Sequence, residues 1–128
     1  MRTLIILCCV FVFFVGCQPA AVYTSGSTPH QRKATYMVAS WYGEPFHGRI
    51  TANGEIYDMY KYTAAHRTLP FGTKLRLINE ETNKEAIVVI NDRGPVPRDR
   101  DIDVSYQTAQ TLDFVNKGIT RLRVIYLQ

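Results

Sequence analysis

Three ionisable side chains stand where chemistry is possible: Glu55 in TANGE, His66 in TAAH and Asp92 in NDRGP. Their neighbours are otherwise apolar, small or turn-forming. Two carboxylates and an imidazole are the material of general acid and base catalysis, in which one group delivers a proton and another takes one up or steadies positive charge. Asp92 closes the run AIVVIN and precedes Arg93-Gly94-Pro95, an abrupt exit from a sheet. A carboxyl at such a strand end is partly desolvated, which favours the protonated form a general acid must hold. Arg93 would oppose this, but successive strand residues point to opposite faces. Each residue also has an ordinary structural reading: Asp92 as a turn cap with Arg93 in a surface ion pair, Glu55 as an exposed turn residue, His66 as a satisfied histidine of core or turn. The residues alone leave both readings open.

Other chemistries lack their residues. There is no G-x-S-x-G elbow and no P-loop. All three cysteines, Cys8, Cys9 and Cys17, precede residue 18, so the remainder has no thiol for a disulfide, a nucleophile or a metal site. His30, His47 and His66 lie far apart, and Asp99-x-Asp101-x-Asp103 starts like a calcium loop but has Val104 at the glycine and Gln110 at the closing glutamate. No metal and no cofactor are expected. The net charge of +4 is spread along the chain, which gives no footprint for nucleic acid. Trp41, Tyr42, Phe46, Tyr57, Tyr60 and Tyr62 flank the same loops, and aromatic faces beside hydroxyls suit a polymeric carbohydrate, although such rings also fill small cores.

The elements that must position these groups begin near Tyr36. YMVASWYG is rich in strand formers, and TKLRLIN alternates Leu75 and Leu77 against Lys74 and Arg76, as a half-buried strand does. NEETNKE supplies a turn, and AIVVIN is a β-branched run with the look of a buried strand, so the two segments form a hairpin. After a loop rich in Pro and Arg, Ser105 can cap a short helix over YQTAQTLDF, with Ala109, Leu112 and Val115 at helical spacing. ITRLRVIYL closes the chain as an alternating strand. Several short strands, long loops and one helix argue for a small β-barrel rather than a sandwich.

The N-terminus carries Arg2 and then an apolar run over residues 4–15. A transmembrane helix needs roughly 20 residues, so this run has the proportions of a secretory signal. It ends in Phe14-Val15-Gly16-Cys17, which resembles the lipobox of bacterial lipoproteins, with Phe14 where that motif prefers Leu. An uncleaved signal anchor and a plain signal peptide are the alternatives, the latter lacking an A-x-A site. The lipobox implies removal of residues 1–16 and acylation of Cys17. Residues 17–35, polar and with two prolines, read as a tether spanning roughly 25 Å, and residues 36–128 as the folded domain.

ASWYGEPFHGRITANGEIYDMYKYTAAHRTLPFGTKLRL and VVINDRGPVPRDRDIDVS together resemble the rare lipoprotein A (RlpA) family, septal peptidoglycan lytic transglycosylases. SWYG, FHGR, TANGE, TAAH, LPFGT and NDRGP occur in family order and at family spacing. The resemblance implies an all-β fold, a six-stranded double-psi β-barrel with one or two short helices. It implies Asp92, Glu55 and His66 as the catalytic trio, with Asp92 favoured as acid and base. Trp41, Tyr42, Phe46, Arg49, Thr51, Asn53, Tyr57, Arg93 and Asp103 become candidates for substrate binding or for supporting the groove. The implied partner is the peptidoglycan glycan strand, cut to leave 1,6-anhydro ends, with a lipid anchor at Cys17 and a monomer facing the periplasm. Gln18 is not the Asp that resembles an inner-membrane retention signal, so the outer membrane is expected. A non-catalytic wall-binding or wall-loosening protein using the same groove is the second reading, and a structural lipoprotein or inhibitor that binds a protein the third. Many family members carry a C-terminal SPOR domain; none is expected here, the sequence stopping at Gln128 just past the barrel.

Overall fold

The computed structural model describes residues 34–128. The signal-like run, Cys17 and the tether up to residue 33 lie outside the described residues. Six strands follow in chain order: β1 Thr35–Tyr42, β2 Thr63–His66, β3 Lys74–Asn79, β4 Lys84–Asp92, β5 Ile102–Ser105 and β6 Ile119–Leu127. A 3-10 turn covers Glu44–Phe46, and one α-helix, α1, covers Tyr106–Thr111. The strands close a barrel in the order β1-β5-β2-β4-β3-β6. Two neighbouring pairs run parallel, β1 with β5 and β2 with β4, and the other pairs run antiparallel. Closure leaves no free sheet edge.

Alternation explains the core. Leu75 and Leu77 of β3, Val88 and Ile90 of β4, Ile102 and Val104 of β5 and Leu122 of β6 are wholly buried, while their strand neighbours face outward. β3 and β4 pair from Lys74↔Val89 to Asn79↔Lys84, the hairpin expected from NEETNKE. The run AIVVIN is not buried on both faces, however: Ile87 is 49% exposed and Val89 is half-buried, because a barrel strand covers core with one face only. Ser105 does cap α1, its hydroxyl accepting from Thr108 N at 3.2 Å. The helix is shorter than its apolar spacing suggests. Asp113 turns left-handed at φ 59°, so Val115 lies beyond the helix end. Leu112 and Phe114 still reach the core from this exit.

TAAH and IDVS form strands of four residues each, too short for periodicity to mark. They are held by neighbours on both sides. β2 lies between β4 and β5, and β5 between β1 and β2.

Candidate active site

Register places the chemistry. Ala65 of β2 pairs with Asp92 of β4 on one side and with Asp103 of β5 on the other, and Asp103 in turn pairs with Ser40 of β1. Paired residues share a face, so Asp92, Ala65, Asp103 and Ser40 form one row across four strands. With strands about 4.8 Å apart, the two aspartates stand about 10 Å apart at the backbone, separated by one methyl group. A groove of about 370 Å³ opens above this row, bounded by Trp41, Tyr42, Phe46 and the Arg93–Pro97 loop.

Asp92 ends β4, and its carboxyl is held from one side. Oδ1 accepts from Ala52 N at 2.9 Å and from Arg93 N at 2.8 Å, whereas Oδ2 takes no hydrogen bond from the described residues. Gly94, at φ 138°, adopts a backbone that side-chain-bearing residues rarely take, which turns the chain out of the sheet just past the acid. Arg93, the first residue past β4, points elsewhere. Its Nη1 donates to the carbonyls of His66 at 3.2 Å and Leu69 at 2.9 Å, and its guanidinium lies 3.8 Å from the centre of the Phe71 ring. It ties the β2–β3 connection to the end of β4 and forms one margin of the groove.

Glu55 reaches the same strand end through Asn91. The TANGE turn, with Gly54 at φ 89°, docks on β4 through Ala52 N to Asp92, Asn53 N to Asn91 O at 3.3 Å, and Asn91 Nδ2 to Glu55 Oε2 at 3.1 Å. The bond from Asn91, and secondarily one from Asn53, hold the exposed Glu55 carboxyl below the usual carboxylate range. Glu55 is therefore ionised near neutral pH. Thr51 and Asn53 shape this turn, with Thr51 Oγ1 2.5 Å from Asn53 Oδ1 and Thr51 N donating to Glu55 O at 2.7 Å. Arg49, at the turn's entry, lies over Phe46 at 5.6 Å.

His66 ends β2 one residue after Ala65, so its side chain leaves the face that carries Asp92 and Asp103. Nδ1 accepts from Thr68 N and Leu69 N, both at 3.1 Å. That fixes the remaining proton of the neutral ring on Nε2. Burial first, and then Arg67, lower its tendency to protonate. Its contacts are those of a histidine that satisfies a turn, and they order the β2–β3 connection that Arg93 clamps.

Tyr42 and Tyr57 stack at 4.2 Å with an interplanar angle of 15°. Tyr57 is only 2% exposed and donates to Tyr42 O at 2.6 Å, so it supports the groove wall from beneath and offers no face to a ligand. The Tyr42 hydroxyl is buried without a hydrogen-bond partner. Its phenol is pushed far up by burial, then by Asp92, Tyr57 and Asp103. Two contributors went unnoticed in the sequence, Asn91 as the anchor of Glu55 and Ala65 as the floor between the aspartates. Two members of the acidic triplet Asp99–Asp103 bond to β1: Asp101 Oδ2 accepts from Val38 N at 2.8 Å, and Asp103 pairs with the Ser40 hydroxyl, which also accepts from Arg100 at 2.9 Å. Among the described residues no group of three His, Cys, Asp or Glu side chains could hold a metal ion, and no helix is long and apolar enough to cross a membrane.

Residues 34–124 match the family described as lytic transglycolase. The chain is 53% identical over 90 residues to the endolytic peptidoglycan transglycosylase RlpA of Helicobacter pylori, covering 70% of this chain and 29% of that protein. It is 56% identical over 86 residues to the probable endolytic peptidoglycan transglycosylase RlpA of Treponema pallidum, covering 67% and 27%. To the RlpA of Pseudomonas aeruginosa strain PAO1 it is 50% identical over 86 residues, covering 67% and 25%. The chain thus spans under a third of the length of these relatives. In fold alone it is similar to Streptomyces papain inhibitor (TM-score 0.60, 15% identity, 76% of this chain and 96% of that one) and to cerato-platanin 3 of M. perniciosa (0.54, 14%, 73% and 95%). The described barrel is a double-psi β-barrel, and the chain belongs to the lytic transglycolase family that includes the RlpA proteins.

Proposed function

We propose that the barrel is a peptidoglycan lytic transglycosylase, a lyase that cleaves the bond between N-acetylmuramic acid and N-acetylglucosamine and leaves 1,6-anhydro ends. The observation that carries this is Asp92: a carboxyl fixed by two backbone N–H groups on one oxygen, with the other oxygen free, in an open groove walled by aromatic rings. A hydrolase needs one carboxyl to protonate the leaving oxygen and a second to activate water or attack. A lytic transglycosylase needs only one, because the C6 hydroxyl of the muramic acid is already held near the anomeric carbon.

Asp92 gives its proton to the glycosidic oxygen as the C1–O bond breaks. The C6 oxygen then bonds to C1, and its proton passes to Asp92, which restores the acid. Positive charge gathers on the sugar in between. Glu55, held ionised by Asn91, supplies a negative charge on the rim of the same strand end and is not a proton donor at neutral pH. His66 acts at one remove, by ordering the connection that Arg93 clamps. Trp41, Tyr42 and Phe46 offer faces to sugar rings, and Asp103 offers an acceptor for hydroxyl groups. Beyond the described residues, the reading extends to a monomer anchored by an acylated Cys17 in the outer membrane and acting on glycan strands in wall remodelling or daughter-cell separation.

Mass analysis of the products released from sacculi tests the reading. The protein is expected to release anhydro-muropeptides or anhydro-glycans, and Asp92→Asn, which keeps an acceptor for Ala52 N and Arg93 N, is expected to release about 100-fold less or lower still. Sedimentation with insoluble peptidoglycan and no soluble product would instead mean a wall-binding protein. Full release by Asp92→Asn would remove Asp92 from the chemistry.

A further inference from the structure

A second groove, of about 400 Å³, lies beside the first and plays no part in the chemistry proposed at Asp92. Its principal walls are Trp41, Tyr60 and Tyr106, with Met59 buried at its base and Glu44 at its edge. The rings are set at steep angles to one another: Trp41 to Tyr106 at 5.5 Å and 62°, Tyr106 to Tyr60 at 6.4 Å and 88°. Trp41 and Tyr106 are half-buried, so part of each ring stays open to the groove they line. Tyr60 is 57% exposed, which is more than core filling requires.

Trp41 borders both grooves. Gly43 allows the chain to pass close over its indole, since a Cβ there would stand 3.1 Å from Trp41 Cζ3, tighter than ordinary contact. The two grooves therefore share one aromatic wall.

We propose that this second groove binds a further sugar ring of the same glycan strand that occupies the Asp92 groove. The inference rests on the glycan reading given above. A pyranose has apolar C–H faces that pack on aromatic rings, and hydroxyl and N-acetyl N–H groups that Glu44 can accept. Its lining carries one carboxylate and no cation, which suits the uncharged N-acetylglucosamine ring better than a muramic acid ring whose lactyl carboxyl is free.

Trp41 is the only tryptophan in the chain, so its emission reports occupancy of either groove. The test titrates the Asp92→Asn protein, which leaves substrate intact, with peptide-free di-, tetra- and hexasaccharides of the glycan strand. Affinity is expected to rise with length. Adding Tyr60→Ala should weaken the longer oligomers by about five- to tenfold and leave the disaccharide unchanged, while Tyr60→Phe keeps the ring and the affinity. Long oligomers bound equally well with and without Tyr60→Ala would overturn the second site, as would equal affinity for all three lengths in the parent. If no oligomer binds the parent at all, the glycan reading of the main groove falls with it.

Discussion

Replacing Asn91 with alanine should separate stability from activity. Asn91 is 3% exposed, and its Nδ2 donates to the Glu55 carboxylate at 3.1 Å while its Oδ1 is buried without a partner. Losing a bond to a charged acceptor costs about 1.5–3 kcal/mol, towards the low end here because water reaches Glu55 and replaces part of it. Removing the unpartnered Oδ1 relieves about 1–3 kcal/mol of desolvation. The backbone bond from Asn53 N to Asn91 O survives the change. The two side-chain effects nearly cancel, so the variant should melt within about 6 °C of the parent, the shift produced by about 1 kcal/mol in a domain of this size. Activity should not be spared. Glu55 loses both its tether and the first cause of its low proton affinity, so it protonates at higher pH. The expected result is a fall in kcat of about tenfold or more with KM little changed, and an acidic limb of the pH–rate profile displaced upward. Product release from sacculi followed between pH 4 and 8, beside thermal melts, measures both. A parental kcat and an unmoved acidic limb would show that Asn91 does not govern Glu55, and a melting point lowered by more than about 15 °C would show that its role is to hold the fold.

Tyr42→Phe removes a buried hydroxyl that has no partner yet keeps the ring stacked on Tyr57; thermal melts should show stability unchanged or higher by about 1 kcal/mol. Arg93→Lys loses the planar contact on Phe71 and the guanidinium bonds to His66 O and Leu69 O, and should destabilise the protein by about 1–2 kcal/mol in denaturant titration. For His66 the folded protein binds its proton less readily than the unfolded chain, whose reference value is 6.5, so stability should fall as pH drops through that value. Melts between pH 8 and 5 should show this slope, and His66→Asn should flatten it; Glu55 loses its contribution only at lower pH, below its own ordinary value of 4.5, outside this window.

Much of the barrel was legible because long strands repeat. β3 and β6 alternate over six and nine residues, and Ser105 announces α1 by its hydroxyl. β2 and β5 were not placed from the sequence, since four residues such as TAAH carry too little periodicity and owe their conformation to neighbours on both sides. Asp92 could be picked out, because a carboxyl after a β-branched run followed by Gly-Pro is a local signal. The row through Ala65 and Asp103 could not, because it depends on the register of strands joined by long connections. Tyr57 and Tyr60 look alike in the chain, three residues apart in one loop; the first is buried beneath Tyr42 and the second lines the outer groove. No periodicity within an irregular loop distinguishes the two.

The end of β4 sets both carboxylates at once. The β2–β4 register shifts here, Ala64 pairing with Ile90 and Ala65 with Asp92, so Asn91 is the extra residue of a bulge; it anchors Glu55 while the next residue supplies the acid. A slip of one residue in β4 would carry Asp92 off Ala65 and send Val88 and Ile90, both wholly buried, to solvent. The core thus opposes any register in which the acid leaves the groove. Fully burying a side chain of this kind is favourable by about 1.5–3 kcal/mol, so the two together outweigh by several-fold the roughly 1 kcal/mol of a single backbone bond to Asp92. Hence the position of the acid is set chiefly by apolar burial in the strand and only trimmed by the hydrogen bonds that touch it.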